Sequence, residues 1–159
     1  MRFILTGQTR SDAIRKEKIM VDDSDFEELN KYNWQLSNFN AVVRHVKGEK
    51  QVQLHRMVMK APLGIEIDHI DGNRLNNQKS NLRFATSSQN KMNRGPRKDN
   101  HSGYKGVSWH KQINKWTSRI QIGNTYKHLG LFENIIEAVK AYNNAALKFH
   151  GEFAWLNKL

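Results

Sequence analysis

A chain of 159 residues has room for one medium domain or two small ones. Its 26 lysines and arginines against 15 aspartates and glutamates give a formal net charge of +11 and a sequence pI near 10.0, which points to a polyanionic partner, nucleic acid first. The absence of cysteine excludes disulfides and thiolate metal sites. No apolar run approaches the ~20 residues of a membrane-spanning helix, and the opening MRFILTGQTR lacks a signal-peptide core, so a cytoplasmic protein with no membrane partner is expected.

Residues 1–60 read as a small strand-rich module with one short helix. Strands are expected at 2–6, 18–21, 34–36, 41–46 and 51–54, with a turn at 47–50. The acid-rich run Asp22-Asp23-Ser24-Asp25 leads into Phe26-Glu27-Glu28-Leu29 and complements a helix dipole. It lacks the glycine and closing glutamate of an EF-hand loop, so its acids read as caps and solvated face. A second short helix is expected at 55–60, ending before Pro62. Leu54, Met57 and Val58 are its core residues. His55 reads either as a residue supporting a neighbouring site or as one close to a bound phosphate, with Arg56 a clamp on that phosphate.

Residues 65–93, IEIDHIDGNRLNNQKSNLRFATSSQNKMN, carry the chemistry. The alternation around Glu66 to Ile70 predicts a short strand that puts Asp68 and His69 on opposite faces. Gly72-Asn73 turns the chain into a polar loop, and the apolar residues return at Leu82 and Phe84 as a second strand. Thr86 with Gln89 three residues on has the pattern of a capping box, which places Asn90 in the first turn of a helix. The carboxylate of Asp68 and the amide oxygen of Asn90 suit a hard cation such as Mg²⁺. Neutral His69 suits a general base, and Asn81 is placed to orient its ring.

This constellation resembles the HNH motif of the ββα-metal (His-Me finger) nucleases, and DHIDGNRLNNQKSNLRFATSSQN is most similar to HNH homing endonucleases of phages and their introns. The resemblance implies His69 and Asn81 as catalytic residues and Asp68 and Asn90 as ligands of one divalent metal ion, Mg²⁺ with Mn²⁺ as the alternative. It also implies cleavage of double-stranded DNA to 5′-phosphate and 3′-hydroxyl ends. The last histidine of the family name is here Asn90. The cysteine-bound structural zinc of many relatives has no ligands in this chain. Residues 1–60 resemble the N-terminal extension ahead of many phage HNH domains.

Residues 94–100 combine Gly-Pro punctuation with charge and have no apolar residue, and so read as a linker in which Arg97 and Lys98 can lie on a DNA backbone. Beyond it, strands are expected at 104–109, 115–122 and 126–132, joined by turns at 111–114 and 123–124 into an antiparallel meander. Asn134 caps a helix that runs to about His150. Its stripe of Ile135, Ala138, Val139, Tyr142, Ala145, Ala146 and Phe149 covers one sheet face. The other face is left for Lys105, Lys115, Arg119, Gln121 and Lys127, while Trp116 alternates with Ile120 toward the helix. From residue 96 onward there are ten basic and four acidic residues.

The YKGV, KW, LGLF and EAVKAYN signatures of this segment resemble the Apetala/ethylene-response-factor DNA-binding domain. That resemblance implies major-groove reading by the sheet through the five residues just named. Ser108 stands where the family usually has arginine, so base preferences do not carry over.

The expected fold class is α+β, with segments 1–60 (extension), 61–95 (HNH nuclease core), 96–102 (linker) and 103–159 (three-stranded antiparallel sheet packed on one helix). The expected function is a metal-dependent DNA endonuclease of the homing type, acting as a monomer or weak dimer. The competing class is a DNA-binding regulator with a vestigial nuclease module. An RNA-binding or nucleoid protein would account for the charge alone and leave the Asp-His-Asn-Asn set without a purpose.

Overall fold

The computed structural model describes residues 1–7, 17–38, 41–46, 48 and 51–159. They fall into two compact units, Met1–Thr86 and Ser87–Leu159. Of the turn expected at 47–50, only Gly48 is among the described residues.

Among the described residues, the first unit holds three small antiparallel sheets. Strand β1 (Arg2–Leu5) pairs with β2 (Lys18–Val21); β3 (Gln35–Leu36), β4 (Val42–Arg44) and β5 (Val52–Gln53) form the second sheet; β6 (Glu66–His69) and β7 (Leu82–Ala85) form the third. Helices α1 (Asp23–Leu29) and α2 (Leu54–Val58) lie between them in sequence. Ile67 of β6 and Leu82 of β7 are buried in one cluster with Ile4, Ile19, Val21, Leu29, Trp34, Val42, Leu54 and Val58. Burial of such side chains contributes roughly 1.5–3 kcal/mol each. The N-terminal residues and the β6–β7 hairpin therefore share a single core. Trp34 is fully buried at its centre and satisfies its indole N–H on the Leu29 carbonyl at 2.8 Å.

The loop from β6 to β7 is fastened from the N-terminal side. Met20 donates its N–H to the Leu75 carbonyl and accepts one from Asn77, both at 2.8 Å, and so makes a parallel bridge to Asn76. Asp22 accepts from the Lys79 N–H at 2.8 Å and from the Gln78 amide at 3.2 Å, and Asp25 pairs with the Lys79 ammonium at 2.6 Å. These two acids, expected as caps and solvated face, instead hold the loop. A backbone N–H of the loop needs an acceptor, and the Asp22 carboxylate supplies it for Lys79, while Asp25 takes the lysine ammonium.

The second unit begins with α3 (Ser87–Met92), which starts directly after Thr86. Strands β8 (Val107–His110), β9 (Lys115–Ile122) and β10 (Thr125–Phe132) form a sheet of order β10-β9-β8 with antiparallel pairing throughout. Helix α4 (Ile135–His150) is capped by Asn134, whose side chain accepts from the Ile136 N–H at 2.8 Å. Its expected stripe packs with Val107 and Ile120 in the core.

The division falls between Thr86 and Ser87 rather than in the expected linker, because the segment after α3 is tied into the second unit. A Cβ on Gly95 would meet the Trp155 ring at 3.0 Å. Farther on, Asn100 accepts from Ser102 and Gly103 and donates to the Tyr104 carbonyl. The stretch read as a linker thus ends in a bonded turn.

Candidate active site and nucleic-acid interface

In the first unit, the β6–β7 register pairs Asp68 with Arg83 and His69 with Leu82. Asp68 and His69 are 5% and 8% exposed. Two N–H groups of Arg83, Nε at 2.9 Å and Nη2 at 2.7 Å, converge on one oxygen of Asp68. Directly opposed residues of an antiparallel pair share a face, so this ion pair follows from the register.

His69 presents Nε2 to the Asn77 side-chain oxygen at 3.3 Å. Asn77 is fully buried, and its amide nitrogen donates to the Arg74 carbonyl at 3.0 Å, which fixes the oxygen as the atom facing the ring. An acceptor opposite Nε2 places the proton on that nitrogen. The His55 ring stands edge-on to His69 with centroids 5.3 Å apart. Burial lowers the pKa of His69, against the opposing effects of Asn77, Asp71 and Asp68. Burial, with repulsion from His69, Arg56 and Arg74, pushes His55 down to about 4. Both rings are neutral at pH 7, as a base requires.

Asn81, expected to orient the His69 ring, is engaged elsewhere. Its oxygen accepts from the Asp71 N–H at 3.0 Å, and its nitrogen donates to the Asp71 carboxylate at 2.9 Å and the Asn76 carbonyl at 2.8 Å. Asp71 also accepts from the Asn73 N–H and the Asn76 amide. Although burial acts to raise it, this set of donors holds the Asp71 carboxyl below the ordinary carboxylate range. Asn81 therefore shapes the loop, and Asn77 is the residue on the ring. Arg56, expected as a phosphate clamp, donates to the carbonyls of Ala61, Pro62 and Ile65 and closes the turn after α2. Sequence reasoning missed Asn77 and Arg83. The first sat among several loop asparagines of equal merit; the second was recoverable by counting the hairpin register.

In the second unit, alternation along β9 turns Ser118 and Ile120 to the helix and Lys115, Thr117, Arg119 and Gln121 outward. Tyr126 and His128 pair with Gln121 and Arg119 and complete this open face. The Arg119 guanidinium lies 5.1 Å from the Tyr126 ring centre, and Lys115 is 3.5 Å from Glu133. Lys127 does not belong to this face. It pairs with Ile120, and its ammonium sits 5.1 Å from the Phe149 ring on α4. Lys105 also departs from expectation: its ammonium donates to the Lys91 and Met92 carbonyls at the end of α3, at 3.3 and 2.5 Å. Arg97 and Lys98 are exposed, and Lys91, Arg94, Arg97, Lys111 and Arg119 line a groove of this unit with Trp109 and Trp116.

Residues 52–92 match the family model of HNH endonucleases. The chain is 37% identical over 139 residues to a protein described as an uncharacterized HNH endonuclease of Acanthamoeba polyphaga mimivirus, an alignment covering 82% of this chain and 70% of that one. It belongs to the HNH endonuclease family. This HNH endonuclease is also 37% identical over 93 residues to protein 3.8 of Escherichia phage T7, over 58% of this chain and 76% of that protein. A 58-residue stretch is 40% identical to APETALA2-like protein 2 of Oryza sativa, 35% of this chain and 13% of the plant protein. No solved structure matches the chain at a significant level.

The HNH endonuclease is thus a DNA-cleaving enzyme with a mixed helix-and-strand fold, and enzymes of its family use a divalent metal. The residues available suit such an ion in kind. Asp68 offers carboxylate oxygens held in place by Arg83. Among the described residues no three His, Cys, Asp or Glu side chains gather as a metal site. Among the described residues, no helix is long and apolar enough to cross a membrane.

Proposed function

We propose that this enzyme is a metal-dependent, homing-type endonuclease that cuts double-stranded DNA, with His69 as general base and Asp68 and Asn90 as the ligands of the metal. The observation that carries the reading is the buried, neutral His69 whose Nε2 faces the Asn77 side-chain oxygen. A general base contributes roughly 10²–10⁴ in rate. Arg83 holds the Asp68 carboxylate in one orientation. Mg²⁺, or Mn²⁺, bound there would stabilise charge developing on the phosphate oxygens.

The second unit is an Apetala-type reader in this proposal. Lys115, Arg119 and Gln121 on its open face meet base edges in the major groove, and Arg97 and Lys98 meet phosphates. The short match to the plant protein and the outward alternation along β9 support it.

The test is incubation of supercoiled phage DNA with the wild type and His69→Ala, in Mg²⁺ and in EDTA. Open circles formed only by the wild type and only with metal are expected. Equal nicking by His69→Ala removes the histidine from the mechanism. Bound but uncut DNA, extended to a digest of a whole phage genome without cleavage, favours the regulator.

A further inference from the structure

The hairpin of β8 and β9 carries two tryptophans directly opposite each other, Trp109 and Trp116. Their rings meet edge to face, with centroids 5.1 Å apart and planes at 66°. They differ in what else they touch. Trp116 packs against the core of the second unit, as Phe132 and Ile135 do. Trp109 lies outside that cluster and is 44% exposed. Because β8 is an edge strand, the ring stands at the margin of the sheet.

An exposed aromatic alone is unremarkable. Its surroundings make this one informative. The groove that Trp109 lines measures about 1120 Å³, and all of its lining residues belong to the second unit. Its walls carry six cations, Lys91, Arg94, Arg97, Lys105, Lys111 and Arg119, against one acid, Asp99. Even without Lys105, whose ammonium is bonded to the end of α3, positive charge dominates.

The side of the sheet matters as well. Alternation along β8 puts Ser108 and His110 on the open face, opposite Thr117 and Lys115. Val107 and Trp109 fall on the side of α4, where Val107 is buried in the core. A duplex read by the open face therefore leaves the Trp109 ring uncovered. A basic groove with an exposed aromatic suits an unpaired strand, whose phosphates follow the cations while a base stacks on the ring. The bases of a duplex are already stacked on one another.

We propose that this groove binds single-stranded DNA, with one unpaired base stacked on Trp109 and the phosphates along Arg94, Arg97 and Lys111. Trp116 braces the stacking ring through the edge contact. The site is additional to the duplex-reading face and needs neither metal nor cleavage.

Binding is measured on the full chain in EDTA, by anisotropy of a labelled oligothymidine of about twelve nucleotides and of an abasic strand of the same length and charge. Stacking of one base corresponds to about 5-fold to 150-fold in affinity. The wild type therefore binds oligothymidine at least about fivefold more tightly than the abasic strand. Trp109→Ala loses that preference, while Trp109→Phe keeps most of it. The affinity of Trp109→Ala for a duplex changes less than about twofold, since the ring is off the reading face. Equal binding of the two strands by the wild type overturns the proposal, as does an undiminished preference in Trp109→Ala. Tighter binding of an oligouridine RNA of the same length overturns the choice of DNA.

A second measurement uses the wild type alone. Ultraviolet crosslinking of a bromodeoxyuridine strand, followed by peptide mapping, places the adduct on Trp109. Absence of that adduct overturns the assignment, and this result decides if Trp109→Ala does not fold. If the wild type makes no metal-dependent nicks, the nuclease reading fails while this binding stands.

Discussion

Asp68 and Arg83 face each other across the β6–β7 ladder, with two guanidinium N–H groups on one carboxylate oxygen at 2.7 and 2.9 Å. The arginine therefore does for this carboxylate in the absence of a cation part of what a bound cation would do in its presence. Arg83→Met leaves a buried charge without its guanidinium, at a cost of roughly 3–5 kcal/mol. Thermal melts should show a marked loss of stability, and millimolar Mg²⁺ should raise the midpoint of this variant more than that of the wild type. Equal shifts in the two proteins would count against Asp68 as a metal ligand.

Asn77 faces Nε2 of His69 in this geometry, and the Asn81 side chain bonds to Asp71 and Asn76. Asn77→Ala should lower kcat by about 10-fold to 100-fold, part of the range a general base contributes, with DNA affinity in EDTA nearly unchanged. If the same experiment with Asn77→Ala leaves kcat intact, the ring is oriented by something else.

Protonation of His55 should limit acid stability. Its pKa is about 4 in the folded chain, against 6.5 for an unburied histidine. Above pH 6.5 the ring is neutral in both states and its contribution is complete. Between 6.5 and 4 the unfolded chain binds a proton that the folded chain does not, so stability falls with pH, by up to about 3 kcal/mol. Denaturant midpoints at pH 7.5 and 4.5 measure the drop, and His55→Phe should show a smaller one. An equal drop in both proteins would assign the acid sensitivity to other groups.

Arg119 and Lys127 separate the two faces of the second sheet. Arg119→Ala should weaken binding and relax sequence preference, at roughly 1–3 kcal/mol for a bidentate base contact. Lys127→Ala, on the Phe149 side, should leave preference and salt dependence unchanged. Binding to a randomised DNA pool at two salt concentrations distinguishes them. A loss of preference in Lys127→Ala would reverse the assignment of faces.

Much of this was legible from residue pattern. The strand-loop-strand-helix succession around Asp68 and His69, the meander from 107 to 132 and the capped α4 helix each carry a local signal of alternation, turn chemistry or a cap. The face of Lys127 was legible too, since the two-residue turn Gly123-Asn124 pairs Ile122 with Thr125 and hence Ile120 with Lys127. The fate of Lys105 was not, because a lysine beside a basic sheet looks the same in sequence whether it meets phosphate or a helix end. The role of Asn77 was equally hidden. Asn73, Asn76, Asn77 and Asn81 share one propensity, and tertiary bonds from a distant strand choose among them.

That distant strand is β2. The segment matched by the family, residues 52–92, contains His69 and Asn77 but not Met20, whose backbone pins Asn77 by its N–H. The posture of the proposed base is thus inherited from a stretch outside the segment that the family model matches. The motif is consequently not portable: transplanted without the first twenty-odd residues, it would keep every letter by which it is recognised and lose the splint that aims its histidine.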